Sequence, residues 1–433
     1  MTDRERHDRA VQAAREFDPS TAEFLDHEFE IYALLRSELP VARVGGTTGA
    51  ADEGGRWLLT RYEDASACLS NTQDFSSQSA NYPVRPWIPQ AIDPPAHTSY
   101  RRLMNKWFTP DAMTAVEPHL KSFADELLDR MIEKDEFDFV ADFADPFPTI
   151  IFCELMGFPM EDYRQLMDWK NTLMHAADGH SGGRALAAAR ARELGLAVSE
   201  EGSITAEVRG QVYGSTAMAI YAYFGKLLET RRAQPQQDIV SRLIESKYEG
   251  ERPLTNEELL DTLFLFFMAG LDTVASMLGL VVKTFAENPD QRREFIELMD
   301  DEQRLTLAVE ELVRYHSIVL LPRRVTGDRK FCGAAFRAED QVICPTQAAN
   351  RDPEEFANPD DLIYDRVPNR HMGFGHGPHR CLGIHLARRE VRIGLTALHR
   401  KLPDYHLHPD RNPELFGGMK GVSQLWLRKG EPS

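Results

Sequence analysis

Phe374-Gly375-His376-Gly377-Pro378-His379-Arg380-Cys381-Leu382-Gly383 is the stretch on which the fold and chemistry of this chain turn. Two glycines and a proline mark a tight, fixed loop. A cysteine closes that loop, and apolar residues at helical spacing follow from Leu382 to Lys401. A helix start favours a thiolate through its dipole and its free N–H groups. The same N–H groups can bond the sulfur and limit how much electron density it donates.

Several chemistries fit a cysteine in that position. As the ligand of a heme iron, such a thiolate favours cleavage of an O–O bond. A lone cysteine is otherwise a small buried hydrophobe. His376, His379, Cys381 and His385 could form a zinc site, and Cys381 with His379 could form a nucleophile and base. Spacing alone leaves these open.

Outward from the loop, helical patterns dominate. Apolar residues recur at three-and-four spacing over 114–134, 160–176, 213–234, 254–287, 303–317 and 382–401. Strand-like runs are short: 56–60, 329–336, 342–345 and 422–427. The helix from Leu254 opens on a capping box, Thr255 with Glu258, and stops at Pro289. At about thirty residues it would run roughly 45 Å. Its centre, 263–282, is long and apolar enough to span a bilayer, but Asp272 and Thr273 sit in the middle, so a buried core helix is expected.

The stretch FGHGPHRCLGIHLAR closely resembles the heme-binding loop of the cytochrome P-450 family. The resemblance implies Cys381 as the single axial iron ligand, which disposes of zinc. It implies that Phe374 packs on the thiolate side, that His379 meets a heme propionate, and that Gly383 belongs to the same cofactor-binding loop. Glu311-Leu-Val-Arg314 fits the family's Glu-x-x-Arg, a structural pair that Arg351 or Arg366 would complete. Ala269-Gly270-Leu271-Asp272-Thr273 is similar to the family's oxygen-binding groove. There Gly270 lets backbone approach a ligand, and Asp272 and Thr273 form the acid and alcohol that deliver protons. His97 and Arg101, after Asp93-Pro94-Pro95, match a propionate-binding pair. Arg323, or its neighbour Arg324, would serve the second propionate. Asn350-Arg351-Asp352-Pro353 is a further match. The likeness runs from about Phe75 to the C-terminus.

The resemblance implies a mainly α (α+β) fold in one domain, 1–433, with a smaller sheet-rich part in the N-terminal quarter. It implies heme b, O₂ as cosubstrate, and NAD(P)H electrons arriving through an external ferredoxin and ferredoxin reductase. The reaction expected is monooxygenation of an apolar small molecule, usually hydroxylation. A peroxide-driven peroxygenase and a non-catalytic heme sensor or carrier are the rival classes. By segment position, Arg85, Trp87, Ile88, Ala269, Val319, Leu320 and Leu321 would line the substrate pocket, a mostly apolar set. The Ala-, Gly- and Glu-rich stretch 179–211 is longer than in compact members. Its composition suggests a loosely packed lid.

Composition agrees with a large core and a charged surface: 433 residues, 42% hydrophobic, 27% charged. The net charge of −18 disfavours nucleic acid as a partner. The charged N-terminus reads as neither signal peptide nor membrane anchor. Five cysteines (Cys68, Cys153, Cys332, Cys344, Cys381) at unpaired spacings suggest a reducing cytoplasm. Against the acidic background, 370–392 holds five arginines (Arg370, Arg380, Arg388, Arg389, Arg392) and one acid, Glu390. With Arg102 and Lys106 they suggest a docking face for an acidic ferredoxin.

Overall fold

The computed structural model describes residues 2–45, 56–78, 85–176 and 180–430. Helices α1 (Asp3–Arg15) and α2 (Ala22–Glu38) precede β1 (Val41–Val44), β2 (Arg56–Leu59), α3 (Tyr62–Ser70) and β3 (Phe75–Ser76). A helical run follows: α4 (Ala96–Asn105), α5 (Pro110–Thr114), α6 (Glu117–Ile132), then β4 (Glu136–Asp138), α7 (Pro146–Met156), α8 (Tyr163–Met174), α9 (Ser181–Glu193), α10 (Ala206–Ala233) and α11 (Ile239–Glu245). After the small hairpin β5 (Lys247–Tyr248) and β6 (Arg252–Pro253) come α12 (Asn256–Gly270), α13 (Thr273–Glu287), α14 (Pro289–Leu298) and α15 (Glu302–Tyr315). The last third holds β7 (Leu320–Val325), β8 (Arg329–Phe331), β9 (Ala334–Phe336), β10 (Gln341–Pro345), α16 (Thr346–Ala349), α17 (Ile384–Lys401), β11 (Tyr405–Leu407), β12 (Glu414–Phe416), β13 (Gly421–Gln424) and β14 (Trp426–Lys429).

The largest sheet has the order β1-β2-β10-β7-β3. Its β10–β2 pair is parallel and the others are antiparallel, with Val342 opposite Arg323. Small clusters around Leu58 and around Cys68 and Phe75 back its two faces. The principal core lies in the helical part and centres on α12, α13 and α17, with Leu263, Phe267, Leu278, Val281 and Leu395 fully buried. The apolar centre of α12–α13 is therefore a core element, as its sequence suggested.

Four sequence expectations change here, one being the run 329–336, which is the antiparallel hairpin β8–β9 rather than one strand. The single helix 254–287 keeps its capping box but breaks between Gly270 and Thr273. Thr273 Oγ1 donates back to the Ala269 carbonyl at 3.2 Å, a side-chain bond that competes with the helical ladder. A Cβ at Gly270 would collide with the Phe152 ring, so this glycine admits α7 as well as opening the groove. The run 422–427 is two strands in different sheets, because β13 pairs with β12 and β14 with β11 and β4. The stretch 179–211 is helical at both described ends and irregular over 194–205, which is largely exposed. It forms α9 and the first turns of α10, and Ala187, Ala191, Val208 and Val212 bury a small cluster between them. Alanine, the best helix former, outweighs the two glycines at its start. Gly179 itself lies outside the described residues.

Candidate active site

The loop before α17 is held by its own backbone. Gly375 N–H donates to the Met372 carbonyl at 2.8 Å and Cys381 N–H to the Phe374 carbonyl at 2.8 Å. Gly375 and Gly377 take φ values of 75° and 70°, which other residues resist. At Gly377 a side chain would also strike the Leu69 carbonyl of α3. The loop is thereby pinned to α3, where Ser66 and His376 Nε2 also meet at 3.1 Å.

Cys381 emerges three residues before α17 and is open to a cavity. Burial pushes its thiol up, against the Gly383 N–H and the Arg101, Arg380 and Arg388 guanidiniums, which favour the thiolate. Phe374 carries Arg388 over its ring at 5.1 Å. The cavity has a volume of about 180 Å³. Phe108, Phe152, Leu265, Phe266, Val274 and Leu386 make it apolar, and Ala269, Gly270 and Thr273 also line it.

One edge of this apolar space is polar and unsatisfied. The rings of His97 and His379 lie against each other, centroids 4.0 Å apart and tilted by 40°. Both ring nitrogens of His97, Nε2 of His379 and Nε of Arg323 are buried without a hydrogen-bond partner. Burial, with the nearby Arg101, Asp93 and Arg323, leaves the His97 pKa lowered to about 4. Burial and the cations around it, His97 first, drive His379 well down too. Buried donors left unpaired are costly, so this edge suits an anionic occupant. Arg324 is spent elsewhere, on the Gln78 carbonyl at 2.8 Å and on Glu339 at 2.5 Å. Arg323 is the arginine of the pair that faces the site. A flat apolar ring carrying an iron and two carboxylates, which is heme, fits this thiol, these walls and these four basic side chains. Among the described residues, no three His, Cys, Asp or Glu side chains gather as a separate metal site.

Asp272 and Thr273 part company. Thr273 lines the cavity. Asp272 is 3% exposed and belongs to a buried cluster: Lys170 Nζ lies 2.7 Å and His175 Nε2 3.0 Å from its Oδ1. Burial pushes this carboxyl up, but His175 and Lys170 outweigh it and hold it far below the usual range. Lys170 also faces Asp145 at 3.7 Å. Sequence reading missed Lys170, His175 and Asp145, which lie on α8, just after it, and before α7. It also missed Glu390, a buried acid on the cavity wall whose pKa burial pushes up to about 8.

Glu311 and Arg314 pair as expected, with two contacts of 2.8 Å and no exposure. Arg366 completes the triad at 3.0 Å from Glu311. Arg351 instead pairs with Asp360 and stacks on Tyr315. Of the expected substrate-pocket residues, only Ala269 lines the cavity. Trp87 packs on Phe264 and Ile88 joins the principal core. Val319 packs against that core, while Leu320 and Leu321 pack on the sheet clusters. Arg85 binds Asp261.

The arginine-rich face is less basic than a sequence count suggests. Arg370 pairs with Glu355, Arg388 with Glu310, and Arg389 and Arg392 with Glu117, at 2.6–3.0 Å. Arg102 and Arg380 are exposed and form no ion pair among the described residues.

Residues 57–416 match the family model described as Cytochrome P450. The chain is 34% identical to a probable cytochrome P450 127A1 of Sinorhizobium fredii, over 87% of this chain and 84% of that one. It is 31% identical to the mycinamicin IV hydroxylase/epoxidase of Micromonospora griseorubida, over 87% and 88%. Among solved structures it resembles CYP109E1 from Bacillus megaterium in complex with testosterone, with TM-score 0.80 and 28% identity over 95% of this chain and 100% of that one. The polyketide synthase cytochrome P450 PksS of Bacillus subtilis also has TM-score 0.80, at 29% identity over 96% and 100%.

Proposed function

Because the chain belongs to the cytochrome P450 family and is a monooxygenase of it, we propose that it inserts one oxygen atom from O₂ into a bulky apolar natural product, with Cys381 as ligand of its heme iron. One observation carries this reading: an accessible thiol, a broken helix and an edge of unpaired histidines and arginines converge on one apolar cavity. Bound heme supplies the oxygen activation and transfer.

Each residue then has a task. Cys381 gives its sulfur to the iron, and the Gly383 N–H tempers the donated charge. His97, Arg101, Arg323 and His379 hold the two propionates through charge-assisted bonds. Phe374 covers the thiolate side. Thr273 holds a proton at Oγ1 beside the groove opened by Gly270. Asp272, ionised while Lys170 and His175 hold it, would take a proton from water and pass it to Thr273 once that tie loosens, since a carboxylate so strongly paired gives and takes protons poorly. Glu311, Arg314 and Arg366 lock the segment that leads into the cysteine loop.

The whole chain, 1–433, acts as one domain on this proposal, supported by a principal core that runs from Ile88 to Leu427. Relatives named for mycinamicin IV and for polyketide biosynthesis, and one bound to testosterone, support a large, mostly apolar substrate. Electrons come from NAD(P)H through a ferredoxin and its reductase, docking on the cysteine side near Arg102, Lys106 and Arg380. Five free cysteines accord with the cytoplasm. The test is turnover of macrolide and steroid panels with ferredoxin, reductase, NAD(P)H and labelled O₂. One labelled oxygen in the product is expected. Product formed equally well from hydrogen peroxide without O₂ would overturn the proposal in favour of a peroxygenase.

A further inference from the structure

Acids outnumber bases in this chain, 68 to 50, and the arginines Arg388, Arg389 and Arg392 of α17 each meet a carboxylate. Three arginines near α9 do not. Arg184, Arg192 and Arg209 form no ion pair and no side-chain hydrogen bond among the described residues. All three line one cleft of about 640 Å³ between α9, the irregular segment 194–205 and α10.

Helical spacing builds this cleft. Arg184, Ala188 and Arg192 recur every four residues and so share one side of α9. About 12 Å of axis separates the two arginines. Ala185 and Ala188 line the cleft between them, with Ala176 and Ile204 alongside. Such small side chains leave the space open. Arg209 enters from the first turn of α10. The two helices are fixed to each other, because Ala187 and Ala191 of α9 pack on Val208 and Val212 of α10. One acid, Glu201, reaches the same cleft and pairs with none of the three arginines. It stands on a turn in which Ser199 N–H donates to the Ser203 carbonyl and Ser203 N–H to Ser199 Oγ, both at 2.9 Å. Three arginines against one glutamate leave the lining positive on a protein whose net charge is −18. Guanidiniums around one concavity repel each other until an anion comes between them, and each offers a planar fork that fits phosphate oxygens.

We propose that the α9–α10 cleft is a second ligand site, for a small soluble molecule carrying a diphosphate or a similarly extended phosphate group held by Arg184, Arg192 and Arg209. The spacing of two helical turns favours an extended polyanion over a compact one. None of these residues lines the cavity that Cys381 faces, so the proposal does not depend on the heme reading.

The experiment is calorimetric titration of the full heme-loaded chain with inorganic pyrophosphate and, separately, with inorganic phosphate, at low salt. Pyrophosphate should bind one to one, about tenfold tighter than phosphate, and added salt should weaken it. Arg184→Gln, Arg192→Gln and Arg209→Gln should each weaken pyrophosphate about tenfold, as expected for a lost charge-assisted bond. Arg192→Lys, which keeps the charge without the fork, should lose about threefold. Glu201→Gln should tighten binding about threefold, because it removes the one like charge facing the ligand. Arg190→Gln is the control: Arg190 sits on α9 but bonds Glu193 at 2.8 Å and Ser215 at 2.9 Å, so binding should change less than about twofold. The substituted side chains are exposed or half-buried, and the melting temperature should stay that of wild type. Absence of pyrophosphate binding would overturn the proposal, and capture by phosphatidylglycerol vesicles in that case would assign the arginines to a lipid surface instead. Binding that survives all three arginine substitutions, or that Arg190→Gln weakens as much as Arg192→Gln, would also overturn it, since either outcome reports diffuse charge rather than a site.

Discussion

Lys170 holds Asp272 in a buried ion pair, Nζ to Oδ1 2.7 Å, while Thr273, the next residue, faces the cavity. The acid and the alcohol of the groove therefore start from opposite surroundings. Cutting one partner of such a pair leaves a charge buried and costs about 3 kcal/mol. Lys170→Met should lower the unfolding free energy by about that amount, measured by denaturant titration. Asp272→Asn should slow turnover tenfold or more while leaving the heme spectrum intact.

Thr273 contributes through its hydroxyl, not its packing. Thr273→Ala should bind heme and substrate normally but divert electrons to peroxide, so that product per NAD(P)H falls several-fold. Unchanged coupling would remove Thr273 from proton delivery.

Glu390 gives a pH signature. Its ordinary pKa of 4.5 is pushed up to about 8 by burial. Between those values the unfolded chain has lost the proton and the folded chain keeps it, so folding stability falls as pH rises through the window. Glu390→Gln removes that penalty. At pH 8 the variant should be more stable than wild type by about 1–3 kcal/mol, and the two should converge near pH 5. Parallel melting curves across pH would contradict this.

Electron delivery should depend on the exposed cations that form no ion pair among the described residues. Arg102→Glu with Lys106→Glu should slow first-electron transfer from a ferredoxin, and added salt should slow it in wild type. Arg389→Glu probes a different effect, because Arg389 is paired with Glu117. It should cost stability more than electron-transfer rate.

What was legible in the sequence was local. The capping box of Thr255 and Glu258 and the Glu311–Arg314 pair each lie within one helical turn, where spacing fixes which side chains meet; the cysteine loop and the His97–Arg101 pair were legible through the family resemblance. Contacts across distant segments were not legible. Lys170 sits on a helix face that reads as solvated, 102 positions from Asp272, and nothing in its neighbourhood marks it. The same holds for Arg85 with Asp261, and for Glu117, which neutralises two arginines of α17. Charge counted along a chain overstates a patch when the neutralising acids arrive from elsewhere. Part of the stretch 179–211 was misread: its composition suggested loose packing throughout, whereas Ala187 and Ala191 pack α9 onto α10.

Heme ligation by Cys381 is the claim on which the rest depends, and the reduced, carbon monoxide-bound spectrum tests it most directly. Wild type should show the red-shifted Soret band of a thiolate-ligated heme, and Cys381→Ala should lose that band. A Cys381→Ala protein that keeps both the band and full heme binding would contradict the account.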